Sequence, residues 1–141
     1  MKRICVIDGQ GGGIGSVIIK KIKEEFEESL EVIALGTNAI ATAQMLKSRA
    51  NRGASGENAI VNTVRIADII IGPIGIVLAH AMMGEVTPKI AEAISSASAK
   101  KLLLPLTQEH IEIIGVSPNP LPHLIDILIR DHLSPMIKTK S

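Results

Sequence analysis

The residues best suited to bind a ligand lie in one glycine-rich run, DGQGGGIG at positions 8–15. The run follows the apolar stretch 4–7 and precedes an amphipathic pattern, which predicts a strand, a turn and the start of a helix. Glycine accepts positive φ angles and has no Cβ, so backbone N–H groups can converge there on an anion at the positive end of a helix. We therefore expect a phosphate-bearing small molecule to bind here. The residues predicted to hold it are Gly9, Gln10, Gly11, Gly12, Gly13, Ile14 and Gly15.

The spacing of these glycines excludes several well-known sites. Gly9, Gly13 and Gly15 fit the G-x-x-x-G-x-G turn of short-chain dehydrogenases, but those enzymes need a catalytic tyrosine and this chain has none. The stricter G-x-G-x-x-G pattern fails, and no lysine follows the glycines as a Walker-type loop requires. The glycine run therefore indicates an anion-binding turn without naming a reaction.

A second pair of candidate binding residues, Thr37 and Asn38, ends the next predicted strand. An NAD site normally carries an acid at this place for the ribose hydroxyls, so NAD is disfavoured. The hydroxyl and amide suit a 2′-phosphate or another polar group, so NADP or a different nucleotide is a candidate cofactor, although no arginine adjoins these residues. The alternative is that the two residues only cap a helix.

Four residues are candidates for acid–base catalysis. Asp8 adjoins the glycine turn, where it could hold Mg²⁺, act as a base, or accept N–H bonds from its own loop. Glu57, next to the candidate ligand residue Asn58, and Glu85 lie in glycine-flanked loops, which are common positions for catalytic acids and also for helix starts. His80 lies in an apolar segment, where either a catalytic or a hydrogen-bonded core histidine is consistent with the sequence. The sequence shows no metal-site spacing.

Composition narrows the class of protein. The 141 residues are 46% apolar and carry 15 basic and 14 acidic side chains, which predicts one domain without a charged surface for nucleic acid. The single Phe, with no Trp or Tyr, leaves little on which bases could stack. The longest uncharged stretch, 69–84, is too short and too rich in glycine to span a membrane. The lone Cys5 lies in an apolar strand, so we expect a buried, inert thiol in a cytoplasmic protein.

The periodicity predicts a three-layer αβα Rossmann-like fold with the strand order 2-1-3-4-5. The strands are predicted at 4–7, 31–36, 68–72, 102–106 and 111–116, and helices at about 14–28, 38–50, 57–66, 76–83, 88–97 and from 121. The alternative for residues 59–64 is a strand. Strands one to four are expected to be parallel. Only residues 107–110 precede strand five, which should therefore be antiparallel. Residues 1–133 form the predicted domain, and 134–141 a flexible tail.

This strand order places the ligand site. The order reverses between strands one and three, so the glycine run and the loop containing Gly72, Pro73 and Gly75 should face each other across one crevice. The predicted helix 76–83 is apolar on every side and needs covering by protein. A homodimer through this helix would supply that cover.

Several segments together resemble a family of small bacterial proteins known only as a domain of unknown function. They are IDGQGGGIG (7–15), ALGTNAIAT (34–42), GENAI (56–60), IIGPIGI (70–76) and GEVTP (84–88). The similarity extends from residue 2 to about 130. The resemblance implies a shared site that includes Gly9–Gly15, Thr37, Asn38, Glu57, Asn58, Gly72–Gly75 and Glu85, and it implies no activity.

Three functional hypotheses follow. The first is a binding or regulatory module that holds a nucleotide or phosphorylated metabolite at the glycine run. The second is an NADP- or nucleotide-using enzyme with acid–base residues among Asp8, Glu57, Glu85 and His80. The third is a structural subunit that docks through helix 76–83 and whose glycine crevice is occluded.

Overall fold

The fold is a five-stranded, wholly parallel sheet covered by helices on both faces. A computed structural model describes residues 1–107 and 109–138 of the chain. The strands are β1 (Arg3–Asp8), β2 (Glu31–Gly36), β3 (Arg52–Ser55), β4 (Ile69–Pro73) and β5 (Lys100–Leu104). They are arranged in the order β3-β2-β1-β4-β5.

Six α-helices connect or follow these strands within the described part of the chain. They are α1 (Gly13–Phe26), α2 (Ala39–Lys47), α3 (Glu57–Thr63), α4 (Pro88–Ser96), α5 (Leu121–Ile127) and α6 (Ser134–Lys138). Side-chain caps explain where two of these helices begin. The side chain of Asn38 accepts a hydrogen bond from the N–H of Ala41 at the start of α2, and that of Thr87 accepts one from the N–H of Ile90 at the start of α4.

Alternation along β1 divides the core into two layers. Ile4 and Val6 face α1, α2 and α5, whereas Cys5 and Ile7 face α3 and α4. Burial raises the pKa of the Cys5 thiol to about 12, as expected for an inert core cysteine. By the same alternation, Asp8 follows Ile4 and Val6 toward the start of α1.

The predicted α/β class is confirmed, and the four strands predicted to be parallel pair in the predicted order. The fifth strand is wrong in place and direction: β3 adds to the opposite edge, parallel to β2. The sequence RGAS of β3 shows no apolar alternation because this edge strand is largely exposed. Gly53 also lets α2 lie close, since a Cβ there would approach Thr42 to 2.9 Å.

Residues 111–116 form no strand. Ile111, Ile114 and Val116 are exposed, and Gly115 adopts a φ of 90°. These apolar residues therefore belong to a surface segment rather than to a strand in the sheet.

The apolar segment 76–83 is not an α-helix. A 3-10 turn covers Ile74–Val77, and turns continue to Glu85 with left-handed φ angles at His80, Met82 and Met83. Ile76 and Ala81 are buried beside α4 within the chain itself. The apolar composition is thus partly explained without a second subunit.

The first five residues of the predicted C-terminal tail are helical. Residues 134–138 form α6, and Met136 and Ile137 pack against the core. Residues 139–141 of the predicted tail lie outside the described residues. In the described part of the chain, no helix is both long and apolar enough to cross a membrane.

Candidate functional site

The glycine run leaves the carboxyl end of β1 and turns tightly into α1. Gly12 caps the helix with a φ of 72°, a left-handed conformation that glycine adopts without strain. Its N–H donates to the carbonyl of Gly9 at 2.9 Å. A Cβ at Gly12 would lie 2.7 Å from the carbonyl oxygen of Ala41, so the turn also packs tightly against α2.

The Asp8 carboxylate lies inside this turn and is 4% exposed. One oxygen accepts the N–H of Gly9 at 2.8 Å, and the other accepts the N–H of Gly15 at 2.7 Å. Burial raises the pKa of Asp8, although hydrogen bonds from the N–H groups of Gly15, Gly9 and Ile14 oppose that effect. The side chain therefore acts on its own loop, which was one of the roles inferred from the sequence.

Asp8 does not accept hydrogen bonds from all N–H groups of the turn. Within residues 1–107 and 109–138, no acceptor bonds the N–H of Gly11 or of Gly13. A Cβ on either residue would meet nothing within 4 Å, which shows open space beside both. The turn thus retains two backbone donors next to solvent at the positive end of α1.

A second carboxylate, Glu85, crosses from the loop after β4 to the glycine run. Its Oε1 accepts three hydrogen bonds, from the N–H of Gln10 at 2.7 Å, the hydroxyl of Thr37 at 2.6 Å and the amide of Asn38 at 3.0 Å. Partial burial raises the pKa of Glu85, but these three bonds outweigh it and leave the pKa below its usual value. The structure therefore brings Gln10, Thr37, Asn38 and Glu85 together.

Beside this cluster is a cavity of about 430 Å³ at the carboxyl ends of β1, β4 and β5, which we call the rim cavity. Residues from four segments of the chain line it: Asp8, Gln10, Ile14, Pro73, Gly75, Ala81, Met82, Leu106, Thr107, Glu109 and Leu121. The glycine run and the loop after β4 thus share one crevice, at the reversal of strand order between β1 and β4.

The sequence does not single out the part of the wall formed by Leu106, Thr107 and Glu109. These residues follow β5, whose carboxyl end lies at the same edge of the sheet as the glycine run. The assignment of 111–116 to an antiparallel strand obscured this loop. The signal available was the loop's position directly after a parallel strand.

The charge of the rim cavity is negative. Its ionisable lining residues are Asp8 and Glu109, and neither lysine nor arginine contributes to the described wall. Oε2 of Glu109 accepts the N–H of Met82 at 3.3 Å across the opening. An anion in this cavity would therefore depend on neutral donors, which are backbone N–H groups, the Gln10 amide and the Thr107 hydroxyl.

The remaining predicted residues have other contacts. Glu57 accepts the hydroxyl of Thr87 at 2.5 Å and so joins α3 to α4, while Asn58 bonds Asn62 on the surface of α3. His80 is exposed on the loop after β4. Gly72 packs against the backbone of Ile7, which a Cβ would prevent.

Asp8, the acid considered for magnesium, is engaged by its own loop in this structure. Both oxygens of Asp8 are already engaged by N–H groups, which leaves little coordinating capacity. Among the residues that the structure describes, no group of three or more His, Cys, Asp or Glu side chains is placed to hold a metal.

These features define a class of protein: a doubly wound α/β domain with an open cavity where the strand order reverses. Comparison with known families makes the assignment specific. The chain belongs to the family described as a domain of unknown function, DUF3842, whose model matches residues 3–137.

A solved structure with the same general fold is the dodecameric FMN-dependent UbiX-like decarboxylase from Escherichia coli O157:H7. The two chains are 14% identical, the alignment covers 96% of this chain and 94% of that one, and the TM-score is 0.51. At this identity the similarity concerns the fold. A search of curated proteins finds no match to this chain.

Proposed function

We propose that this protein binds a nucleotide or another phosphorylated metabolite in the rim cavity and acts as a binding or regulatory module. The ligand's phosphate lies against the N–H groups of Gly11 and Gly13, and its less polar part enters the cavity. The observation that carries the proposal is a glycine turn that keeps the N–H groups of Gly11 and Gly13 without a described acceptor, while its residues Gln10 and Ile14 line an open cavity at the reversal of strand order.

Size and polarity support a small-molecule ligand. The volume of about 430 Å³ lies within the usual range for such sites, about 300–1,000 Å³. Ile14, Pro73, Leu106 and Leu121 supply apolar walls, while Gln10 and Thr107 supply polar groups. This combination suits a ring system attached to a polar, phosphorylated end.

A binding role is favoured over the enzymatic alternative by the contacts of the four candidate residues. Asp8 is held by its own loop, Glu57 by Thr87 and Glu85 by three donors. His80 lies on the exposed side of the loop after β4 and is not part of the cavity wall. An enzyme that used these residues would need one of them at the ligand, and of the four only Asp8 lines the cavity.

Dye-based thermal shift tests the proposal with AMP, NADP and FMN as separate probes. FMN is included because the similarly folded decarboxylase depends on it. At least one probe is expected to raise the Tm of the wild-type protein, because a ligand that binds only the folded state stabilises it.

Two variants locate the binding site. Gly13→Leu places a side chain in the open space beside the glycine run, and Thr107→Phe fills part of the cavity. Each should abolish the shift. Ala43→Leu, which adds similar bulk at an exposed position of α2, is the matched control and should retain it. A shift that survives both blocking variants would place the ligand elsewhere and contradict the proposal.

We also propose self-association through the exposed part of the segment first expected to be a helix. Met83, at the tip of that loop, is 93% exposed, which is unusual for a large apolar side chain. Native mass spectrometry should show a dimer or larger assembly for the wild type and dissociation for Met83→Glu. A wild-type protein that is monomeric at every concentration tested would contradict this.

A further inference from the structure

The Glu85 contacts suggest a role that goes beyond the anchoring of a loop. A single carboxylate oxygen collects three donors from three different residues, one main-chain N–H, one hydroxyl and one side-chain amide. Converging donors of this kind are what a protein uses to bind an anion. In this structure the anion is one of the chain's own side chains.

The segment that carries Glu85 is a short loop tip that the fold holds at both ends. Its two ends are fixed, because Ala81 and Val86 are buried and the N–H of Val86 donates to the carbonyl of Ala81 at 3.1 Å. Between them, residues 82–85 form a projecting tip. Met82, Met83 and Gly84 have φ angles of 59°, 57° and 90°, a left-handed run that two methionines adopt only under constraint.

The contacts of the tip identify that constraint. Glu85 holds one side of the tip to the glycine run and to the end of β2, and the N–H of Met82 meets Glu109 on the other side. The tip also covers Gly9 closely, since a Cβ there would lie 2.6 Å from the sulfur of Met82 and 2.9 Å from Oε1 of Glu85. The tip therefore closes the side of the crevice nearest β2, while the rim cavity beside it stays open.

We propose that the 82–85 tip is a lid whose Glu85 carboxylate occupies an anion subsite. The subsite consists of the N–H of Gln10, the hydroxyl of Thr37 and the amide of Asn38, and it accepts a phosphate or carboxylate of the ligand once the lid swings away. This inference rests on the proposed function and extends it to a second anionic group, beyond the one at Gly11 and Gly13. Departure of Glu85 also removes a negative charge that otherwise repels an anionic ligand.

Hydrogen exchange of the free protein tests the lid without any ligand. In Glu85→Ala, amide exchange across 79–86 should rise by about tenfold or more, because three hydrogen bonds to a charged group are lost. Exchange in β1 and β4 should stay unchanged, which verifies the fold. Glu85→Gln keeps the acceptor without the charge and should give a smaller rise, and Glu92→Ala, an exposed acid on α4, should give none.

Titration with inorganic phosphate tests the subsite. Phosphate should bind more tightly to Glu85→Ala than to the wild type, and Thr37→Val combined with Glu85→Ala should remove that gain. Unchanged exchange across 79–86 in Glu85→Ala overturns the lid, even if a nucleotide binds the wild type. Increased exchange without tighter phosphate binding overturns the anion subsite. Failure of the proposed function is seen separately, as the absence of any thermal shift with AMP, NADP or FMN in both the wild type and Glu85→Ala.

Discussion

Asp8 and Gly15 are joined by a 2.7 Å hydrogen bond from the backbone N–H of the glycine to the buried carboxylate. The Asp8 carboxylate thereby occupies some of the N–H groups at the positive end of α1 that an external anion would otherwise use. The open donors at Gly11 and Gly13 are what remains. This division explains how a glycine-rich turn can be rigid without a ligand and still retain binding capacity.

The first prediction concerns the stability of that turn. Asp8→Ala should lower the free energy of unfolding by about 2 kcal/mol, because buried N–H groups of the turn lose their acceptor. Urea denaturation followed by far-ultraviolet circular dichroism measures the change. An unchanged free energy of unfolding would show that the Asp8 contacts contribute nothing.

The second prediction concerns pH. Burial raises the folded-state pKa of Asp8 above its ordinary value of 3.8. The backbone N–H bonds lower this pKa, and the neighbouring negative charge of Glu85 raises it further, so that the net shift is upward. The folded chain therefore keeps this proton to higher pH than the unfolded chain does. The stability of the wild type relative to Asp8→Asn should be greatest below pH 3.8 and fall as the pH rises through the raised pKa. A relative stability that increases over that interval would contradict the sign of the shift.

The third prediction uses two neighbouring glycines as a matched pair. A Cβ at Gly9 would lie 2.5 Å from the Thr37 hydroxyl oxygen and 2.6 Å from the Met82 sulfur, so Gly9→Ala should cost about 1–3 kcal/mol. Gly11→Ala meets open space and should change stability by less than about 0.5 kcal/mol. Equal effects in thermal or urea denaturation would mean that the 82–85 tip does not cover Gly9 as described.

The sequence predicts well those parts of the molecule that have strong periodicity or specific end chemistry. The apolar runs of β1, β2 and β4, the Asn38 cap and the glycine turn all have such signals. Prediction from the sequence fails where tertiary contacts override the local residue pattern. β3 forms from RGAS because β2 offers an edge, not because its residues favour a strand.

The site is predictable to a similar degree. Placing the glycine run opposite Pro73 and Gly75 needs only the strand order, which four of the strands supply. The contact between Glu85 and Thr37 could not be predicted, because it depends on a loop of left-handed residues that reads as an apolar helix. The wall after β5 was not predicted because the apolar residues of the largely exposed segment 111–116 were assigned to a strand.

The fourth prediction concerns Cys5, the single thiol. It is fully buried and its pKa is raised to about 12, so a thiol reagent at pH 8 should react slowly with the native protein and rapidly in urea. Because no other cysteine is present, the rate reports opening of the core around β1. A native rate equal to the unfolded rate would contradict the burial of this strand.

The central claim is that a phosphorylated ligand binds at the open N–H groups beside the rim cavity. The most direct measurement is a series of ¹H–¹⁵N correlation spectra of the protein titrated with AMP, NADP and FMN. At least one of these should move the amide resonances of Gly11 and Gly13 together with that of Thr107, and leave those of α3 in place. If all three ligands leave the Gly11 and Gly13 resonances unmoved, or move only resonances distant from the cavity, the account is contradicted.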